Sequence, residues 1–390
     1  MIDLIDLRRR LHRTPELALH LPKTRQLLLD ALGPLGLQVH TSDSCSSLAV
    51  VIPGAGPGPT VLLRADMDGL PVVEESGEAF ASTNGSMHAC GHDLHMAGLV
   101  GAVHELHRRR DEFRGDVLAV FQPGEEGAGG AELMISEKSH LITGQKPIAS
   151  FGVHVLSFVE SGMFTCREGE VMGAAMLFEL ELLGRGGHAA RPHTALDPVS
   201  TAALVVQAIQ TFVAQNSSPG DPIVVTVGSL TAGTAANVIP SRALLKISLR
   251  TTTHEKARAS YEKIRGIATA IAEAFGLGLR AEVGPDLGPT VTDADGASLV
   301  RSTVTDLYGA ERYRELVVPE MISEDFSLFL EETGGAFVLV GAAMPGEPQT
   351  QPTNHSPEAR FDDSVVPEVT SLLAELAIRQ LNSATNGTTR

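Results

Sequence analysis

The stretch "MHACGHDLHM", residues 87–96, places one cysteine, three histidines and an aspartate within the eight positions His88 to His95. These side chains can hold metals, move protons and attack carbonyls. Cys90 has three readings: a small buried hydrophobe, a nucleophile, or a metal-bound thiolate. Cys90 and His92 are two apart, so in an extended segment they face the same way, whereas on a helix they share no face. Other chemistry-bearing residues are scattered: "RADMD" offers Asp66 and Asp68, "GEEG" offers Glu125 and Glu126, "FGVHV" offers His154 and "NHSP" offers His355. Singly, each has an ordinary explanation as a solvated acidic pair, a hydrogen-bonded core histidine or a turn residue. Together, thiolate, imidazole and carboxylate form the donor mixture of a zinc-like ion. Two adjacent carboxylates then make sense if one binds metal. The other takes a proton from acidified water and returns it to a leaving group.

Such residues need a frame that brings them together. Short apolar runs at 47–54, 60–66, 116–123, 148–155 and 335–342 read as buried strands. Helical patterns at 22–34, 93–110, 129–137 and 364–381 fall among them. Strand–helix alternation predicts an α/β domain with a mostly parallel sheet and flanking helices. Sites in such sheets form beyond the carboxyl ends of the strands, and the acidic pairs, His154 and the loop to His355 all fall at that rim.

The middle of the chain follows another pattern. "AMLFELELLG" alternates as a half-exposed strand does, and "ALDPVSTAALVVQAIQTFVAQ" reads as a helix capped by Asp197 with Pro198 in its first turn. Strands "PIVVTVGSLTAG" and "RALLKISLRTT", a helix from His254 to Phe275 and a strand "LRAEVG" follow. The order β-α-β-β-α-β predicts an inserted ferredoxin-like α+β domain. The expected division is 1–176 and 289–390 for the metal-binding domain and 177–288 for the insert, with the tail 382–390 frayed.

Composition narrows the class. The 390 residues suit two domains, and a formal charge of −17 argues against nucleic acid or an anionic membrane as partner. Three cysteines, Cys45, Cys90 and Cys166, make no disulfide framework and suit a reducing compartment. The start "MIDLIDLRRRLHRTPEL" carries charges where a signal peptide would be apolar, and no apolar run approaches 18 residues. A cytoplasmic enzyme is the expectation.

The motifs "LRADMDGLPVVE", "HACGHDLHMAGLVGA", "FQPGEEGAGGAELMI", "GRGGHAARPH", "NVIPSRALLKISLR", "SEDF" and "HSPEARFDD" span nearly the whole chain. Together they resemble the metallopeptidase and amidohydrolase family of carboxypeptidase G and aminoacylase. Within it they are most similar to the hippurate hydrolase and indole-acetyl-amino-acid hydrolase branch. The resemblance implies a two-metal centre with Cys90, His92, Glu126, His154 and His355 as ligands. A cysteine among the ligands favours zinc, with manganese, cobalt or nickel as alternatives. The resemblance implies Glu125 as general base and Asp68 as the acid that orients a ligand. Asp66 stands where other branches carry a histidine, and its role is open, as is that of "SEDF". The resemblance further implies that the insert acts as a lid and dimerises. His188 then reaches the partner's centre to bind the carbonyl oxygen, while Asn237 and Arg250 hold the substrate's polar groups and carboxylate. Two departures stand out: "HLPKT" follows "PELAL" where an acidic residue is usual, and "GPDLGPTVTD" is longer than the usual linker.

The leading expectation is therefore a metal-dependent amidohydrolase acting on small N-acyl amino acids, a homodimer or higher homo-oligomer with neither nucleic acid nor membrane as partner. A dipeptidase or carboxypeptidase with the same centre is the sister reading. A hydrolase with Cys90 as nucleophile is a different class, in which the surrounding ligand set has no purpose.

Overall fold

The computed structural model describes residues 2–346 and 348–387. Among these, the chain divides into two compact units, Met1–Val171 with Val291–Val317 and Asp325–Arg390, and Met172–Thr290 with Val318–Glu324.

The first unit is an α/β layer structure around an eight-stranded mixed sheet. Its strand order is Gln38–Thr41, Leu48–Pro53, Asp116–Gln122, Thr60–Asp66, Ala149–Leu156, Gly335–Gly341, Phe164–Cys166 and Tyr313–Glu315. The central four strands are mutually parallel. They are buried on both faces, which is why they read as continuous apolar runs. The run at 47–54 is a strand, but it lies antiparallel to Asp116–Gln122 at one side.

The predicted helices form with small shifts of boundary: Pro22–Leu32, His92–Arg108, Gly130–Ser136 and Val366–Gly387. His92–Arg108 is buried through most of its length and packs along Val366–Gly387. The close approach needs small residues: a Cβ on Gly98 would lie 2.5 Å from Val369 Cγ1. The last helix continues through Asn382–Gly387, so this part of the tail is not frayed, and residues 388–390 lie outside the described residues.

The second unit is a four-stranded antiparallel sheet with the helices Pro198–Asn216 and His254–Ala274 packed on it. In chain order its strands are Ala174–Leu183, Ile223–Ala232, Arg242–Thr251 and Gly278–Leu287, arranged in space as fourth, first, third, second. Asp197 accepts from the Val199 amide at 2.9 Å, and Pro198 opens its helix. The unit is wider than 177–288 because pairing extends it: Ala174 registers with Thr251, and the Gly173 amide donates to the carbonyls of Glu320 and Ile322. "GPDL" lies within the last strand rather than in a linker.

Candidate metal centre

Each of the acidic pairs sits where a central strand ends. Thr60–Asp66 delivers Asp66 and, just beyond it, Asp68, both fully buried. Asp116–Gln122 leads into a turn through Gly124, at φ +76°, that presents Glu125 and Glu126. Ala149–Leu156 carries His154, and the loop after Gly335–Gly341 reaches His355.

Cys90 and His92 meet differently from the extended arrangement expected. Gly91 has φ +83°, and His92 opens the helix His92–Arg108. A side chain at Gly91 would collide with Val155, so glycine is required there for both conformation and space. The left-handed residue reverses the chain between Cys90 and His92, which straight alternation cannot do.

The result is a compact donor set. Cys90 Sγ lies 3.3 Å from His154 Nε2 and 3.1 Å from His355 Nε2, and His355 Nε2 lies 3.2 Å from Glu126 Oε1. Among the overlapping groups are Cys90, His92 and His154; Cys90, Glu126 and His355; and His92, Glu125 and Glu126. Within each, the ligand atoms lie within 4.8 Å of one another.

Hydrogen bonds fix which atoms face inward. His92 Nδ1 lies 2.8 Å from the Asp68 carbonyl oxygen, to which it donates, so Nε2 carries the lone pair. Around Nε2 stand Asp66 Oδ2 at 3.8 Å and Glu125 Oε2 and Glu126 Oε1 at 3.9 Å. His154 Nδ1 donates to the Val155 carbonyl at 2.9 Å, which turns its Nε2 lone pair toward Cys90. A thiol, imidazole lone pairs and carboxylates, all electron-rich and 3–4 Å apart, suit a shared cation, and the donor types match divalent zinc-like ions.

Charge follows the same logic. Burial holds the His154 ring well below the usual histidine range and keeps it neutral, the form in which an imidazole can bind a metal. Burial would raise Glu126, but the His355 hydrogen bond and the His92 charge outweigh it and lower it. Burial pushes the Cys90 thiol well up, and Glu126, Glu125 and Asp66 add to the effect. That environment opposes a free thiolate nucleophile at neutral pH.

The Asp68 carboxylate meets the main chain of the Glu125–Glu126 turn. Its Oδ1 accepts from the Glu125 amide at 2.9 Å and its Oδ2 from the Glu126 amide at 3.1 Å, while the carboxylate stays 3.9 Å from His92 Nδ1. The carbonyl orients His92; the carboxylate holds the Glu125–Glu126 turn. Burial, only partly offset by His92 and the two amides, pushes the Asp68 carboxyl up to about 6.

Asn354, beside His355 in "NHSP", carries no sequence signal that marks it for the site. Asn354 Nδ2 donates to the Val155 carbonyl at 2.9 Å, and its Oδ1 accepts from the Ser157 amide at 3.0 Å. These bonds tie the His355 loop to the end of the His154 strand. His355 has φ +70°, a conformation costing a non-glycine residue about 1–3 kcal/mol, and its amide donates to the Ala89 carbonyl at 2.9 Å. His95, inside the founding motif, is not a spare ligand. Its Nε2 accepts from the Val155 amide at 2.9 Å and its Nδ1 lies 2.7 Å from Asp66 Oδ1.

The remaining site residues lie in the second unit. His188 is exposed on a two-residue strand whose partner is Val238–Ile239, with Asn237 beside it. His188 Nδ1 accepts from the Ala190 amide at 3.0 Å, which leaves the hydrogen on Nε2. Arg250 is half-buried and donates to Ser323 Oγ. The His188–Asn237 ribbon leaves the sheet near Leu183 and Arg242, whereas Arg250 pairs with Ala175. Eight residues of strand, about 27 Å, separate Arg242 from Arg250. The structure therefore joins His188 to Asn237 and separates both from Arg250.

A profile described as Peptidase family M20/M25/M40 matches residues 62–379. An IAA-amino acid hydrolase ILR1-like 2 of Arabidopsis thaliana is 33% identical, covering 97% of this chain and 85% of that protein. An N-acetyl-L-cysteine deacetylase of Bacillus subtilis is 31% identical, covering 98% and 89%. Among solved structures, a Bacillus subtilis dinuclear metal binding peptidase from the M20 family superposes with a TM-score of 0.81 at 28% identity, covering 97% and 98%. With the profile spanning most of the chain and the relatives nearly all of it, this protein belongs to peptidase family M20/M25/M40 and is an amide-bond hydrolase.

Proposed function

We propose that this protein is a divalent-metal amidohydrolase that cleaves N-acyl amino acids, acyl–NH–CHR–COO⁻, into a carboxylic acid and a free amino acid. The observation that carries the reading is the convergence of Cys90, His92, Glu126, His154 and His355 on one site with Glu125 beside it. The relatives' names support the substrate class, since an IAA-amino acid and an N-acetyl-L-cysteine both carry an acyl group on an amino acid.

In this reading those five residues hold two divalent cations per subunit. The thiolate favours zinc, and manganese, cobalt or nickel are the alternatives. Bound cations would supply Lewis acidity at the scissile carbonyl and acidify the attacking water. Glu125, whose side chain is 10% exposed, is reachable and takes the proton from water as its oxygen bonds to the carbonyl carbon. It returns that proton to the amide nitrogen as the C–N bond breaks. Asp68 holds Glu125 and Glu126 in register through their amides. Arg250 grips the substrate carboxylate, a task suited to a guanidinium.

His188 would donate from Nε2 to the developing oxyanion, with Asn237 next to it. The ribbon carrying His188 and Asn237 leaves the strand Arg242–Thr251 at the end opposite Arg250, which supports a homodimer in which the lid domain of one copy serves the centre of the other. Among the described residues no helix is long and apolar enough to cross a membrane, and the three cysteines are free and buried, which suits the reducing cytoplasm.

The test is a panel of N-acyl amino acids assayed after chelation and re-addition of each metal. Glu125→Gln should keep metal and substrate affinity and lower kcat by about 10²–10⁴. A fully metallated variant with near-native kcat would end this assignment.

A further inference from the structure

Asp66 and the "SEDF" segment, residues 323–326, have no part in the ligand set, yet the structure joins Asp66 and Asp325 through one arginine. Arg64 is 1% exposed. Its Nη1 donates to Asp66 Oδ2 at 2.8 Å, its Nη2 to Asp325 Oδ1 at 3.0 Å and its Nε to Gln122 Oε1 at 2.9 Å. Strand periodicity sets this up: Arg64 and Asp66 share a face of one strand, and Gln122 registers with Asp66 on the next. Asp325 also accepts from Gln122 Nε2 at 2.7 and 2.8 Å and from the Ala131 amide at 3.1 Å.

This network touches the centre at two points. Asp66 Oδ2 stands 3.8 Å from His92 Nε2, and the Asp325 carboxylate lies within 4.8 Å of that of Glu125. Both Asp66 oxygens are already engaged, Oδ1 by His95 and Oδ2 by Arg64, so Asp66 faces His92 without being a spare ligand. One guanidinium is shared between two buried carboxylates, which leaves the group with a net negative charge beside the donor set. Four polar bonds on Asp325 cost more to assemble than a loop anchor requires, since two apolar groups would pack as well.

From this geometry we infer that Asp325 is a positioning residue for the metal centre: by taking half of the Arg64 fork, it keeps Asp66 turned toward His92 with its negative charge only partly cancelled. Without Asp325, Arg64 pairs with Asp66 alone, and the field that draws divalent cations into the site weakens. The inference rests on the reading of the Cys90 cluster as a metal centre.

The experiment is metal affinity measured directly, by titrating chelator-stripped protein with cobalt against a chromophoric chelator, at a temperature where each variant is folded by circular dichroism. Wild-type protein that takes up no cobalt would overturn the metal-centre reading itself. Given binding by wild type, Asp325→Asn should bind about 10–100-fold more weakly, the usual loss when a partner behind the ligands is removed. An Asp325→Asn protein with wild-type cobalt affinity would overturn the present inference alone, even if its melting temperature fell, because a loop anchor would change only stability. Should that variant not fold, Arg64→Lys carries the test: it keeps the charge, but one ammonium nitrogen cannot reproduce the planar fork that reaches Asp66, Asp325 and Gln122 in fixed directions. The same loss of affinity is expected, and an unchanged affinity refutes the inference.

Discussion

Asp68→Asn probes the link between the strand end and the Glu125–Glu126 turn. Asp68 is 1% exposed and accepts one main-chain N–H on each oxygen, at 2.9 and 3.1 Å. Hydrogen bonds to a charged group contribute about 1.5–3 kcal/mol each. Asparagine keeps one acceptor oxygen, loses the charge and sets an NH₂ group against the second amide. One bond is lost and the other weakened, so the turn should lose about 2–4 kcal/mol. The same slack displaces Glu125 and Glu126, and a misplacement of about 1 Å can cost about 10²-fold in rate. The assay pairs urea denaturation with kcat on an N-acyl amino acid and with metal content. It is run at about pH 8, above the value of about 6 to which burial raises this carboxyl, so that wild type is ionised. A variant with wild-type kcat and an unchanged denaturation midpoint would refute the reasoning, since the turn would then not depend on the charged acceptor of its two part-buried amides.

Cys90 should resist alkylation in the metallated protein and react after chelation, and Cys90→Ser should recover some activity at high metal concentration; a trapped acyl-thioester would show a nucleophile instead. Mixing inactive His188→Ala with inactive Glu125→Gln under subunit exchange should restore activity, because the heterodimer holds one site with both native groups; verified heterodimers that stay inactive would place His188 outside the partner's reaction. His12 lies between two carboxylates, with Nδ1 at 2.8 Å from Asp93 Oδ2 and Nε2 at 3.0 Å from Glu74 Oε1. Burial lowers its pKa, but Asp93 and Glu74 outweigh this and raise it above about 6.5. A raised folded-state pKa means this stabilisation is complete below about 6.5 and is lost as pH rises through the folded value. Urea midpoints should fall as pH rises above about 6.5 in wild type and fall less in His12→Gln; parallel curves would remove His12 as the cause.

What the sequence determined by itself is whatever depends on local pattern. Continuous apolar runs marked the central strands because strands buried on both faces have no polar side to show. Alternation in "AMLFELELLG" marked a strand with one exposed face, and the Asp197–Pro198 pair marked a helix start by local hydrogen bonding and fixed φ. The rim of the parallel sheet follows from topology, which groups Asp66, Asp68, Glu125, Glu126 and His154 from strand order alone.

Tertiary structure decided what depends on residues distant in sequence. Gly91 puts Cys90 and His92 together by a left-handed turn, whereas spacing alone suggested an extended segment. Asp68 spends its carboxylate on amides 57 and 58 positions away, and its carbonyl rather than its side chain orients His92. Asp325 meets Arg64 across 261 positions, and Asn354 meets Val155 across 199. The segment 318–324 joins the second unit through main-chain bonds to Gly173 and the Arg250–Ser323 side-chain bond, pairings between residues distant in sequence. A residue type advertises which bonds it can make, but a buried polar group's actual partner is set by whichever distant element folding brings within about 3 Å.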